Sequence, residues 1–237
     1  MAFRRARGVR LWLESTRGRS RRGDAPKSPS RGAQSELPRA RLSPDLRKLR
    51  SIDLMRLIVG LGNPGKEYEQ ARHNAGFMAV TYLAASLGGF TEWHLENKFK
   101  SLLCVGKFKG ELVMFILPQT FMNSSGEAVA LVVNFYKISA GAVLVIHDDL
   151  DLPLGSFKLQ RGVGPKSHNG ILSVEASLGT KDFWRLRIGV DGRFGNASMV
   201  AGEEYVLGRF TADELAILTT LQPQIIRKIN FFLGSGD

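Results

Sequence analysis

Four short polar segments, each next to an apolar run, carry the residues of this 237-residue chain that are equipped for chemistry. In LIVGLGNPGKEYEQARHNAG (57–76), Asn63 and Tyr68 lead to His73, which stands between Arg72 and Asn74. PQTFMNSSG contains Met122 and Asn123, VLVIHDDLDLP contains His147, Asp148, Asp149 and Asp151, and GPKSHNG contains His168 and Asn169. An imidazole takes a proton near neutral pH, and a carboxylate on its other ring nitrogen fixes the tautomer. Neutral amides donate to a carbonyl oxygen and accept from water or an amine at once. The set therefore suits hydrolysis of an acyl bond by an activated water.

Competing chemistries fit less well. There is no GxSxG elbow, and the single cysteine, Cys104, lies in the apolar run SLLCVGKF, which reads as a buried structural thiol. One cysteine also excludes an intrachain disulfide and a multi-cysteine zinc cluster. Asp148, Asp149 and Asp151 with His147 form a conceivable hard-cation site, but HDDLDLP equally reads as a strand end followed by a solvated turn, and no HExxH spacing occurs. No cofactor and no metal are expected. The glycines of GLGNPG (60–65) match GxGxxG, yet Asn63-Pro64 favours a turn over direct helix entry, and no acid follows about 20 residues later to hold a ribose.

To aim such residues into one cleft, each segment must sit at a strand end or a helix start. Strands are expected over 56–61, 101–108, 111–117, 142–147, 156–159 and 184–190, and a Lys109-Gly110 turn makes the second and third a hairpin. Helices are expected over 77–87, 124–136, 170–178 and 213–230, and a loop over 192–202. Strands alternating with helices around one antiparallel pair predict a single three-layer α/β/α domain with a mixed, twisted sheet. Read alone, three of the polar residues have plain structural explanations. His94 suits a surface, His147 a satisfied core position, and Asn123 a helix N-cap.

Charge divides the chain. The first 50 residues hold 15 Lys and Arg against 4 Asp and Glu, an excess of 11 that equals the formal net charge of the whole sequence. The remaining 187 residues hold 18 of each sign, so any basic surface there is a local patch. Residues 1–52 are Arg- and Ser-rich and poor in acids, with scattered Phe3, Leu11, Trp12 and Leu13, a composition that fits an organellar transit peptide, mitochondrial ahead of plastid. A disordered basic arm is the alternative, with the chain then cytoplasmic. No run approaches the roughly 18 apolar residues of a spanning helix, so no membrane partner is expected. Residues 53–237 are expected to form the catalytic domain.

Taken in order, VGLGNPGKEYEQARHNAGF, PQTFMNSSGEAV, IHDDLDLPLGSFKL and HNGILSVEASLG, followed by FWRLRIGV and YVLGRF, resemble the bacterial-type peptidyl-tRNA hydrolase family from about Met55 to about Phe232. The resemblance implies metal-independent hydrolysis of the ester joining a peptide to the 3′ end of tRNA, by a monomer. It implies His73 as general base, Asp148 as the carboxylate that orients it, and Asn63 as the group positioning substrate or water. Asn123 and Asn169 would hold the peptide backbone, Met122 and Tyr68 would wall the terminal adenosine, and His168 would shape the pocket. Lys158 and Arg187 match positions that clamp the tRNA 5′ phosphate. The segment QRGVGPKS departs from the family's shorter glycine-rich loop. Some plastid relatives keep this fold and serve as RNA-splicing cofactors, which leaves a non-catalytic role as the competing expectation.

Overall fold

The run MRLIVG has Arg56 as its one polar side chain and no alternating polar face, which is the pattern of a strand covered on both sides. In the computed structural model it forms β1 (Met55–Gly60), buried at every position. The structure describes residues 55–193 and 201–234. The leader, most of the loop expected over 192–202, and residues 235–237 lie outside the described residues.

After β1 come α1 (Ala75–Leu87), β2 (His94–Glu96), β3 (Ser101–Phe108), β4 (Glu111–Pro118) and α2 (Ser125–Tyr136). They are followed by β5 (Val143–Pro153), β6 (Phe157–Arg161), α3 (Asn169–Leu178), β7 (Trp184–Asp191), α4 (Gly202–Leu207) and α5 (Ala212–Gly234). The seven strands form one sheet in the order β2-β3-β4-β1-β5-β7-β6. Its centre, β4-β1-β5-β7, is parallel, and β2, β3 and β6 add antiparallel edges. The expected hairpin is β3-β4, closed by Lys109 (φ 51°) and Gly110 (φ 89°), the two successive positive φ values that suit the strand twist.

Side chains alternate across the sheet. Ile58, Phe115, Leu144, Ile146 and Leu186 meet Val80 and Leu83 of α1 and Leu221, Ile225 and Ile229 of α5 in one core. The opposite face lies under α2 and α3, which pack so closely that a Cβ at Gly126 would fall 2.0 Å from the Ser173 carbonyl oxygen.

Several boundaries differ from expectation, for physical reasons. The strand expected to end at His147 runs on to Pro153. Pairing with β7 continues in register through Asp149 opposite Gly189, so that Asp148 and Asp149 are buried against partners, while Asp151, beyond a register shift, stays exposed. The short strand β2 and the helix α4 were not legible. The first is a three-residue edge strand containing exposed His94, and the second follows the undescribed loop. Ser124, not Asn123, occupies the N-cap of α2.

Candidate active site

The parallel strands β1, β5 and β7 deliver their carboxyl ends to one edge of the sheet, where such folds build their sites. The turn after β1 is made by packing. A Cβ at Gly62 would lie 2.6 Å from the Phe77 ring, and one at Gly76 would lie 2.2 Å from the Ile146 carbonyl oxygen. Gly60, where a Cβ would lie 2.7 Å from the Gly76 carbonyl oxygen, joins them in letting the start of α1 press on β1 and β5, and Gly65 turns the chain at φ 116°, so packing and turn geometry account for the GxGxxG match. The chain passes through single 3-10 turns at Lys66–Tyr68 and Arg72–Asn74 before α1 begins.

His73 sits on the second of these turns, and its two neighbours anchor it. The guanidinium of Arg72 donates twice to Glu214 of α5 (2.9 and 2.8 Å) and stacks over the Tyr205 ring at 4.2 Å. Asn74 accepts from the Asn63 backbone N–H (2.8 Å) and donates back to the Asn63 carbonyl (3.0 Å), tying the two turns together. The Asn63 side-chain oxygen accepts from the Met122 backbone N–H at 2.8 Å. That bond fixes the orientation of the amide, so its NH2 group is the donor left for a substrate.

The carboxylate of Asp148 is buried between two imidazoles. His73 Nδ1 lies 2.9 and 3.0 Å from its two oxygens, and His168 Nε2 lies 3.0 Å from Oδ1. Tautomers follow from the remaining contacts. His168 is the N-cap of α3, and its Nδ1 accepts from the backbone N–H groups of Gly170 (3.1 Å) and Ile171 (3.3 Å). A nitrogen that accepts carries no proton, so Nε2 carries it and donates to Asp148. His73 likewise donates through Nδ1, which leaves Nε2, on the partly exposed ring, with a free lone pair. Burial pushes the Asp148 carboxyl up, but the charges and hydrogen bonds of His168 and His73 together pull it well below the usual carboxylate range. It stays ionised.

The same tautomer argument bears on metals. The Asp148 oxygens and the near nitrogens of His73 and His168 form the one cluster of metal-binding type among the described residues. With its Nδ1 lone pair held by two helix N–H donors, neutral His168 has no second lone pair at Nε2 to give a cation. A proton between nitrogen and carboxylate satisfies these distances.

His147, the third imidazole, is fully buried behind the pair. Its Nδ1 donates to the Asp148 carbonyl oxygen (2.6 Å), its ring meets the His168 ring edge-on at 4.8 Å, and its Nε2 has no partner. Burial and the neighbouring His168 hold it well below the ordinary imidazole range, so it is neutral. It is a core residue only half satisfied.

The other expected residues divide into a rim and a buried network. Met122 is buried against Gly170, where a Cβ would lie 2.5 Å from its sulfur, so the turns bearing Asn123 and Asn169 are neighbours. Both asparagines are exposed. Tyr68 is half-buried on the turn between Asn63 and His73. Lys158 is exposed on edge strand β6, directly across from Arg187. Arg187 itself is buried and occupied: Nε donates to Asp149 at 2.6 Å and an Nη to Gln160 at 2.9 Å, beneath Gly164, where a Cβ would fall 2.4 Å from the guanidinium carbon. The segment 162–167 is thus pinned over the strand end. Its Gly164 carbonyl accepts from Arg185, and its Lys166 N–H donates to Asp151 at 3.1 Å.

A family profile described as Peptidyl-tRNA hydrolase matches residues 57–237. The chain belongs to the peptidyl-tRNA hydrolase family. It is 46% identical over 162 residues to a peptidyl-tRNA hydrolase of Bdellovibrio bacteriovorus, covering 68% of this chain and 84% of that one. It is 45% identical over 188 residues to one of Nitratidesulfovibrio vulgaris, covering 76% and 91%. The crystal structure of peptidyl-tRNA hydrolase from Acinetobacter baumannii superposes with a TM-score of 0.68 at 35% identity, over 76% of this chain and 88% of that one.

Within this family member, Arg72, Asn74 and Glu214 went unassigned by sequence reasoning, although Arg72 and Asn74 flank His73. An arginine and an asparagine on either side of a histidine were the available signal. Glu214, over a hundred residues away in α5, offered none.

Proposed function

We propose that this chain hydrolyses the ester between peptide and tRNA in peptidyl-tRNA. The observation that carries the reading is the Asp148 carboxylate holding the Nδ1–H of His73, so that Nε2 is poised as a base. Nε2 takes a proton from water, and the water oxygen attacks the ester carbonyl carbon. The Asn63 NH2, held in orientation by Met122, donates to the substrate or the water; a preorganised donor to the developing oxyanion contributes a few kcal/mol. The tetrahedral intermediate collapses, the ribose 3′ oxygen leaves, and the His73 imidazolium returns the proton to it. Asp148 stabilises that imidazolium and remains a carboxylate. His168 serves Asp148 and the α3 N-terminus at once, a positioning role.

Asn123 and Asn169 on the rim contact the peptide, with Met122 and Tyr68 near the terminal adenosine. Lys158 is the exposed cation for the tRNA 5′ phosphate, and Arg187 joins it only by exchanging Asp149 for phosphate. Hydrolysis in 18O-labelled water tests the central claim. One labelled oxygen must appear in the released peptide carboxylate and none in the tRNA. Tight tRNA binding without ester cleavage would instead favour the splicing-cofactor reading.

The catalytic domain is taken as 53–237 and acts as a monomer without cofactor. The leader, residues 1–52, directs it to an organelle, mitochondrion ahead of plastid. Its composition supports this, and a fluorescent fusion of that segment that stays in the cytosol would refute it.

A further inference from the structure

Away from the strand ends, a groove of about 370 Å³ lies between α5 and edge strand β6, lined by Phe157, Gln224, Arg227, Lys228 and Phe231. The four α5 residues recur at i, i+3, i+4 and i+7, which gathers them on one face of the helix. Leu221, Ile225, Ile229 and Phe232 take the opposite face into the core. Phe231 is 65% exposed, while Phe157 leans on the edge of the core. Neither Arg227 nor Lys228 has an acidic partner among the described residues.

A single exposed phenylalanine needs no explanation. Two aromatic rings, an amide and two unpaired cations sharing one concave surface form a more specific combination. Protein interfaces are depleted in lysine, whereas a nucleic-acid strand offers both π faces for stacking and phosphates for cations. The sequence after the leader carries equal numbers of acids and bases, so a polyanion must be met by local cation clusters such as this. Phe157 pairs in register with Ile188, and Ile188 with Asp148. The groove wall is therefore two strands, about 10 Å across the sheet, from the strand position of the candidate catalytic carboxylate. That measures the Phe157 end of the groove; the α5 face continues it from Gln224 to Phe231, about 10 Å along the helix.

We infer that the groove between α5 and β6 is a second RNA contact, in which an unstacked base of the bound tRNA lies against Phe231 and Phe157 while Arg227 and Lys228 meet its flanking phosphates. The inference rests on tRNA being the ligand of the proposed function and adds a surface outside the hydrolytic site.

The test compares the full chain with Phe231→Ala, Phe231→Tyr and the double variant Arg227→Ala/Lys228→Ala. Three readouts apply: binding of uncharged tRNA, KM and kcat for full-length peptidyl-tRNA, and the same constants for a peptidyl ester of the 3′-terminal trinucleotide alone. Phe231→Ala is expected to raise Kd and KM for the full-length ligands about fivefold or more, with kcat and both trinucleotide constants unchanged. Phe231→Tyr keeps the ring and restores binding. At about 0.9 per phosphate in the logarithmic salt slope, losing two contacts makes tRNA affinity about tenfold less sensitive to raising salt from 50 to 200 mM. Unchanged tRNA affinity and salt slope would overturn the inference, as would equal losses on the trinucleotide ester, which indicate a disturbed catalytic site. A wild-type chain that binds tRNA but cleaves neither ester refutes the hydrolytic reading, and the binding arm still decides the groove.

Discussion

Replacing Asp148 with asparagine separates orientation from chemistry. The shared oxygen, Oδ1, accepts from His168 and from His73, while Oδ2 faces His73 alone at 3.0 Å. His168 must keep an acceptor, because its tautomer is dictated by the α3 backbone. The asparagine oxygen therefore takes the Oδ1 place and its NH2 takes the Oδ2 place, pointing a donor at His73 Nδ1. That donor opposes the Nδ1–H tautomer, which the oxygen in the Oδ1 place still accepts at 2.9 Å, and so lowers the fraction of His73 able to act as base. The imidazolium formed during attack also loses its counter-charge. Opposite charges about 4 Å apart at an effective dielectric near 20 are worth about 4 kcal/mol, which caps this loss at about 10³ in kcat. Steady-state kinetics on peptidyl-tRNA should show kcat down about 10² to 10³-fold with KM little changed and the thermal transition still cooperative. Since Asp148 acts through His73, adding Asp148→Asn to His73→Ala should cost nothing more. Wild-type turnover in the single variant, or multiplicative losses in the double, would refute the relay.

His73→Ala should cut turnover by about 10² to 10⁴ with tRNA binding retained; an active variant would remove His73 from the chemistry. Chelators should leave activity unchanged, and loss in EDTA restored by added metal would reverse the tautomer argument at His168. Arg187→Ala strands the fully buried Asp149 carboxylate and should cost about 3–5 kcal/mol in denaturant unfolding, whereas exposed Lys158→Ala should spare stability and weaken binding of tRNA bearing a 5′ phosphate more than of tRNA lacking one; normal stability with phosphate-selective loss in Arg187→Ala would place Arg187 on the RNA. Burial pushes the Glu214 carboxyl up, but the Thr211 N–H and Arg72 outweigh it and hold the group below its ordinary 4.5. A depressed folded value stabilises above the unfolded one and fails in acid, so Glu214→Gln should lower the melting temperature at pH 7 and the difference should close below about pH 4.5; a constant difference down to pH 3 would contradict this.

What the sequence discloses here is local. Apolar runs of strand length, the Lys-Gly hairpin turn and the helical periodicities are each decided by neighbours within a few residues, and the three-layer architecture follows from their order. The site was legible as residue types at strand ends for the same reason. Its wiring was not. Nothing near Arg72 signals Glu214, a partner 142 positions away, and nothing near Arg187 signals that Gly164 lies on its guanidinium. His168 shows the limit well. The family resemblance made it a pocket candidate, while its bonds to Gly170, Ile171 and Asp148 give it a structural task that excludes acting as the base.

The acid-rich strand end shows how one secondary-structure assignment changes a functional reading. If β5 ended at His147, the three aspartates would share a solvated turn and resemble a cation site. Continued as a strand, the segment must alternate. Asp149 falls on the face of Arg187, which holds it at 2.6 Å; the register with β7 shifts between Asp149 and Pro153, and across that irregularity Arg187 approaches Asp151 at 3.9 Å. Asp148 precedes both acids in sequence and lies apart from them in space, delivered to His73 and His168. Register keeps it there. Asp149 opposes Gly189, and a Cβ on that glycine would lie 2.1 Å from the Pro153 carbonyl oxygen, so β7 admits the returning end of β5 only because the side chain is absent. A slip of one residue would give the imidazoles to Asp149 and the arginine to Asp148. The division of labour among these acids is thus set by the pleat of one strand, with the candidate base and the salt-bridged scaffold on its two sides.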